Sequence, residues 1–175
     1  MLILYIHIFA ATVAIFLTAI PLAIANNNLF LFLIAIFSFY LAFAGWRFAR
    51  NVSGRPAAID LLAVLLMLSS GLGMWALALI FYHTGDMQYV VLLLFGFIAL
   101  ALGITDLLSF QSGTVVGSKR LTRHLTNMLG ATIAVITAFL VVNVDLGPSV
   151  PAWLIWVLPT AVITPYIVWW NIRLR

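Results

Sequence analysis

Apolar residues fill the chain in six long runs separated by short polar breaks. The runs cover roughly 2–24, 29–48, 57–82, 89–110, 122–144 and 153–170. Each is close to or above the ~20 apolar residues a helix needs to cross a bilayer. Three of the breaks are turn-formers: Asn26-Asn27-Asn28, Gly54-Arg55-Pro56 and His83-Thr84-Gly85-Asp86. The fourth is the loop Gln111-Ser112-Gly113-Thr114. The pattern predicts an all-α polytopic membrane protein, a single bundle of six transmembrane helices over residues 1–175. Loops this short predict that consecutive helices are antiparallel neighbours.

The run from Lys119 to Asp145 has the clearest internal pattern. At about 100° per residue, Asn127, Gly130, Ala131, Ala134 and Ala138 share one face. Leu125, Leu129, Ile133, Ile136, Phe139 and Leu140 share the other. Small residues on one side predict close contact with another helix, and bulky ones predict contact with lipid. Gly45, Gly71 and Gly73 predict further close contacts in the second and third spans. Pro159 and Pro165 predict a bend in the sixth, with Thr160 and Thr164 satisfying the freed carbonyls. Trp153, Trp156, Trp169 and Trp170 read as interfacial anchors.

Composition narrows the class. The 175 residues are 66% hydrophobic and 7% charged, with mean hydropathy +1.24, a surface no soluble domain of this size can solvate. A pI near 10.0 invites a nucleic-acid reading, but cations spread along an apolar chain read better as topology signals. Arg47, Arg50, Arg55, Lys119, Arg120, Arg123, Arg173 and Arg175 all fall on one side of a six-span chain. Asn26, Asn27, Asn28, Asp86 and Asp145 fall on the other. The positive-inside rule then predicts both termini in the cytoplasm, in a multi-pass protein of a bacterial inner membrane. The first run lacks a basic leader and a cleavage site, so it reads as a retained span. The absence of cysteine excludes disulfides, thiolate metal sites, Fe–S clusters and cysteine nucleophiles. Expected partners are the lipid bilayer and other membrane subunits or a second copy, and not nucleic acid.

Polar groups inside a membrane are costly and therefore informative. His7, Asp60, Asp106, Arg123, His124 and Asn127 all lie towards the basic side. For Asp60 and Asp106 one reading is pairing with a rim cation such as Arg47 or Arg123, or capping of a helix end. The other is a proton-handling or ligand-orienting carboxylate, with Asp106 the better candidate because its flanks are mostly apolar. His7 and His124 can be read as ligands of a haem b iron from opposite sides, as contacts for a quinone or small ligand, or as buried hydrogen-bonded histidines. His7 lies about 6 Å inside the first span, whereas His124 opens the fifth, a mismatch of about one turn. Asn127 reads as an interhelical hydrogen-bond partner. No other metal site, phosphate loop or Ser-His-Asp arrangement is present, and no catalytic residue is assigned.

Three stretches carry a resemblance: Phe37-Ser38-Phe39-Tyr40-Leu41 with Gly45-Trp46-Arg47; His124-x-x-x-Met128-x-Gly130-Ala131-x-Ile133-Ala134 with Thr137 to Asn143; and Trp156-x-Leu158-Pro159-Thr160 with Pro165. Together they resemble a family of bacterial multi-pass membrane proteins of unknown function, over about the last four-fifths of the chain. The family typically has Arg where this chain has Asn127. The resemblance implies six to seven spans, draws attention to His124, and implies no activity.

The leading functional expectation is a non-enzymatic accessory or binding subunit of a membrane complex. The alternatives are a haem- or quinone-linked electron carrier using His7 and His124, and a small-solute transporter. Transport needs a polar path, whereas polar residues thin out beyond Ser69-Ser70.

Overall fold

The computed structural model describes residues 20–144, 147 and 150–173, with Val142 described by its backbone alone. Most of the expected first span, including His7, lies outside the described residues, as do Asp145 and Arg175. Six helices follow one another: α1 (Ile20–Ala25), α2 (Leu29–Arg50), α3 (Ala58–Thr84), α4 (Tyr89–Gln111), α5 (Gly117–Asn143) and α6 (Trp153–Arg173). No strand occurs among the described residues, and α2 to α6 are long and apolar enough to cross a membrane.

The polar breaks act as caps. The Asn28 side chain accepts from the Leu31 amide at 3.0 Å and starts α2. Asp60 reaches back to accept from the Ala57 amide at 2.8 Å and starts α3. Gly85 ends α3 in the left-handed region at φ 77°, with the Asp86 amide donating to the Phe81 carbonyl at 2.9 Å. A residue with a Cβ resists that backbone, so glycine there fixes where the helix stops.

α2 lies at the centre and touches α1, α3, α4 and α5. α3 and α4 pack closely because Gly71, Gly96 and Gly103 let side chains nest where a Cβ would stand. A Cβ on Gly96 would lie 2.5 Å from Trp75 Cδ1, and one on Gly103 would lie 2.7 Å from Leu68 Cδ2. The Trp75 indole also donates to the Leu93 carbonyl at 3.2 Å. α2 and α3 are joined by Ser70, which donates to the Leu33 carbonyl at 3.1 Å, and Gly73 faces Leu33.

The expectation that all consecutive helices are neighbours fails at one place. α5 packs on α2 and α6, and makes no close backbone approach to α4. The connection between α4 and α5 is instead tied to the preceding loop: the Val115 amide donates to the Gly54 carbonyl at 2.9 Å. Gly54 sits at φ 68°, and a Cβ there would come within 2.6 Å of the Val115 carbonyl oxygen. This backbone bond holds the two loops together at one end of the bundle, beneath α2.

α2 and α5 run antiparallel and touch closely near that same end. A Cβ on Gly45 would collide with Met128 Cε, and one on Gly130 would lie 3.3 Å from the Leu41 methyls. Further along, the predicted division of α5 shifts. Ile133 and Thr137 are buried and Ala138 is exposed, so the buried arc is rotated toward Ile133. α2 leaves space beside Ala134 and Ala138 instead of filling it.

Candidate functional site

Every described Lys and Arg lies at one end of the bundle, which we call the basic end. α2 ends there, and its last carbonyls have no partner within the helix. Arg120 on α5 fills that need, donating to the Phe48 carbonyl at 3.2 Å and the Ala49 carbonyl at 2.9 Å. A cation at a helix C-terminus also meets the negative end of the helix dipole.

Arg47, one turn from the end of α2, forms a fork with Asp60 at the start of α3. Its Nε and Nη2 reach Oδ1 and Oδ2 at 2.6 and 2.7 Å. Asp60 is buried and therefore carries an ion pair and a helix cap at once. The water-sized space of about 20 Å³ beside them, lined by Arg47, Asp60 and Tyr40 among others, is large enough for one water molecule.

Deeper in the bundle, Asp106 on α4 is 1% exposed. Tyr40 on α2 donates to its Oδ2 at 2.5 Å, and Arg123 Nη1 on α5 lies 3.1 Å from its Oδ1. The same guanidinium donates through Nη2 to the Thr105 carbonyl at 3.0 Å and to Ser109 Oγ at 2.6 Å. Arg123 thus bridges α4 and α5 where their backbones stay apart. Of the two expectations for the carboxylates, the geometry matches pairing with rim cations: Asp60 with Arg47 and Asp106 with Arg123.

Asn127, one turn further along α5, is 1% exposed. Its Nδ2 donates to the Arg123 carbonyl of its own helix at 2.9 Å, and its Oδ1 has no partner. The expected interhelical bond is therefore not formed. On α2 the residue opposite is Gly45, where a Cβ would lie 3.4 Å from the Asn127 Cβ, and glycine has no side chain to offer a bond.

His124 is half-buried, and its Nδ1 lies 2.8 Å from the Gly45 carbonyl oxygen. A carbonyl only accepts, so Nδ1 is the protonated nitrogen. Nε2 then presents a lone pair in the neutral ring. A second histidine is not brought to it by any described residue, and His7 lies outside them. His83 is exposed at the opposite end, against Tyr82. No group of three or more His, Asp or Glu able to hold a metal ion occurs among the described residues.

One further expectation changes. The Thr160 hydroxyl is buried without a partner, so it does not satisfy a carbonyl freed by the prolines of α6. Trp156, half-buried in the first turn of α6, packs edge-on against Phe30 in the first turn of α2 with centroids 5.1 Å apart. Trp169 and Trp170 stack at 5.3 Å at the basic end, with Arg173 over Trp169 at 4.1 Å.

Fold and site together define a helical bundle with five helices long and apolar enough to cross a membrane, in which the described buried carboxylates are paired with arginines. No family model, curated protein or solved structure matches the chain.

Proposed function

We propose that the protein is a non-enzymatic accessory subunit that packs against another chain in a bacterial inner membrane. It would cross six times, with residues 2–24 as the first span and both termini on the cytoplasmic side. The observation that carries this reading is the groove that the described residues leave between α4 and α6. Leu94, Phe97 and Ile98 form one wall, and Val157, Ala161, Thr164 and Val168 form the other, around about 710 Å³. Thr160 lines it with a buried hydroxyl that has no partner, and hydroxyls of this kind join helices in membranes.

The test is a photo-crosslinking residue at Thr164 in the groove and, as control, at Leu62, which is 57% exposed on α3. In native membranes Thr164 should yield a crosslinked pair of chains and Leu62 should not. Equal yields, or none from Thr164, would overturn the reading.

A second reading is favoured by the His124–Gly45 hydrogen bond. Fixing Nδ1 on a backbone carbonyl while Nε2 stays open is how proteins orient metal-binding and ligand-binding histidines. Haem b or a quinone at the basic end is the corresponding partner, and the nearby arginines would meet propionates or carbonyl oxygens. Protein made with ample haem should show a low-spin Soret band that His124→Ala abolishes. Absence of the band ends the haem form of this reading.

A further inference from the structure

At the end away from the cations, the bundle holds a half-enclosed cavity of about 340 Å³ that the ion pairs and the groove do not use. It falls within the range of about 300–1,000 Å³ common for small-molecule sites. Its origin lies in helix packing. α2 and α5 clasp at Gly45 and Gly130, and further along they leave Ala35 and Ser38 on one side and Ala134 and Ala138 on the other, with space beside them. Phe37, Phe95 and Trp156 add aromatic walls, and no charged residue lines the space among the described residues.

One polar group in the lining stands out. Thr137 is 3% exposed, and its hydroxyl has no hydrogen-bond partner. Its neighbour Thr132 donates to the Met128 carbonyl one turn back at 3.0 Å. Ser38, across the cavity, donates to the Ile34 carbonyl at 2.9 Å. Thr137 makes no such bond, so it is free both to donate and to accept. A buried hydroxyl without a partner is unfavourable in an apolar setting, and a ligand oxygen removes that deficit.

We propose that this cavity binds a neutral, lipid-soluble molecule with an aromatic or cyclic body and one hydroxyl or carbonyl oxygen held by Thr137. The described lining favours a neutral ligand, because none of its side chains compensates an ion removed from water. The size and the three aromatic walls suit a ring better than a bare acyl chain.

The test uses the full chain in nanodiscs with two radiolabelled probes, 1-naphthol and naphthalene, which share a ring system and differ by one hydroxyl. Saturable binding of both is expected. Thr137→Val, which keeps the side-chain shape, should weaken 1-naphthol about tenfold and leave naphthalene within about twofold, as loss of one hydrogen bond predicts. Thr137→Ser should keep 1-naphthol within about twofold. Ala134→Phe, which fills the space, should abolish both. Failure of either probe to saturate would overturn the proposal. So would 1-naphthol binding that ignores Thr137→Val, even where both probes saturate.

Discussion

The Tyr40 hydroxyl on α2 donates to Asp106 on α4 at 2.5 Å, and it does so beside an arginine that reaches the same carboxylate from α5. Three helices are therefore fastened at one carboxylate that is 1% exposed. Removing either partner leaves a buried charge short of compensation, which costs more than the interaction itself contributes.

Asp106→Asn should destabilise the protein by about 3 kcal/mol, because Arg123 then loses its buried counter-charge. Tyr40→Phe should cost about 1–3 kcal/mol. In the double variant the two losses should fall short of their sum, since both act on one carboxylate. Equilibrium unfolding in mixed detergent micelles measures all three. Strict additivity would show that Tyr40 and Asp106 act independently.

Arg47→Lys should lower stability by about 1 kcal/mol although the charge is kept. Lysine cannot present two parallel N–H groups to the Asp60 oxygens that lie 2.6 and 2.7 Å from the guanidinium. Asp60→Ala should cost more than Arg47→Lys, because it also removes the cap on the Ala57 amide. A melting series on the two variants ranks them, and the reverse order would contradict the dual role.

Two glycine contacts should separate by what they face. Gly45→Ala meets the flexible end of Met128, so its cost should stay near 1 kcal/mol and be relieved by Met128→Ala. Gly96→Ala meets the rigid Trp75 ring, and the Gly71 carbonyl oxygen lies 3.1 Å away. Its cost should reach about 3 kcal/mol, with the Trp75–Leu93 bond lost as well. Trp75→Phe should not fully rescue it, because the backbone contact remains.

Gly54→Ala should cost at least about 1 kcal/mol from its left-handed backbone, with a further cost from displacing the Val115 carbonyl 2.6 Å from the new Cβ. Amide exchange at Val115 would report the loosened loop directly. Unchanged protection there would mean that the two loops do not depend on each other.

The proposed orientation has a clean test because the chain has no cysteine. Single cysteines at Ser53 and Ser112 should label only from the cytoplasmic side, and those at Asn27 and Asp86 only from the outside. Mixed labelling at one loop pair would reject the N-in, C-in arrangement.

The sequence by itself determined the helices, because each needs only a long apolar run and a cap that lies within a few residues of it. Asn28, Asp60 and Gly85 are local signals, and their bonds close within five residues. The gathering of cations at one end also follows from sequence, since strict alternation of antiparallel helices fixes which ends share a side. Pairing of Asp60 and Asp106 with rim arginines was legible as a class of interaction from depth and charge. What only the tertiary structure decided is which helix meets which. That α5 leaves α4 for α2 depends on Gly45 meeting Met128 and Gly54 meeting Val115, contacts between residues far apart in the chain. Tyr40 was missed for the same reason: a tyrosine in an apolar span signals a hydrogen bond but not its partner. The cavity beside Thr137 was likewise illegible, because a face of small residues fits a close contact and an empty space equally well. Only the angle between two helices distinguishes them.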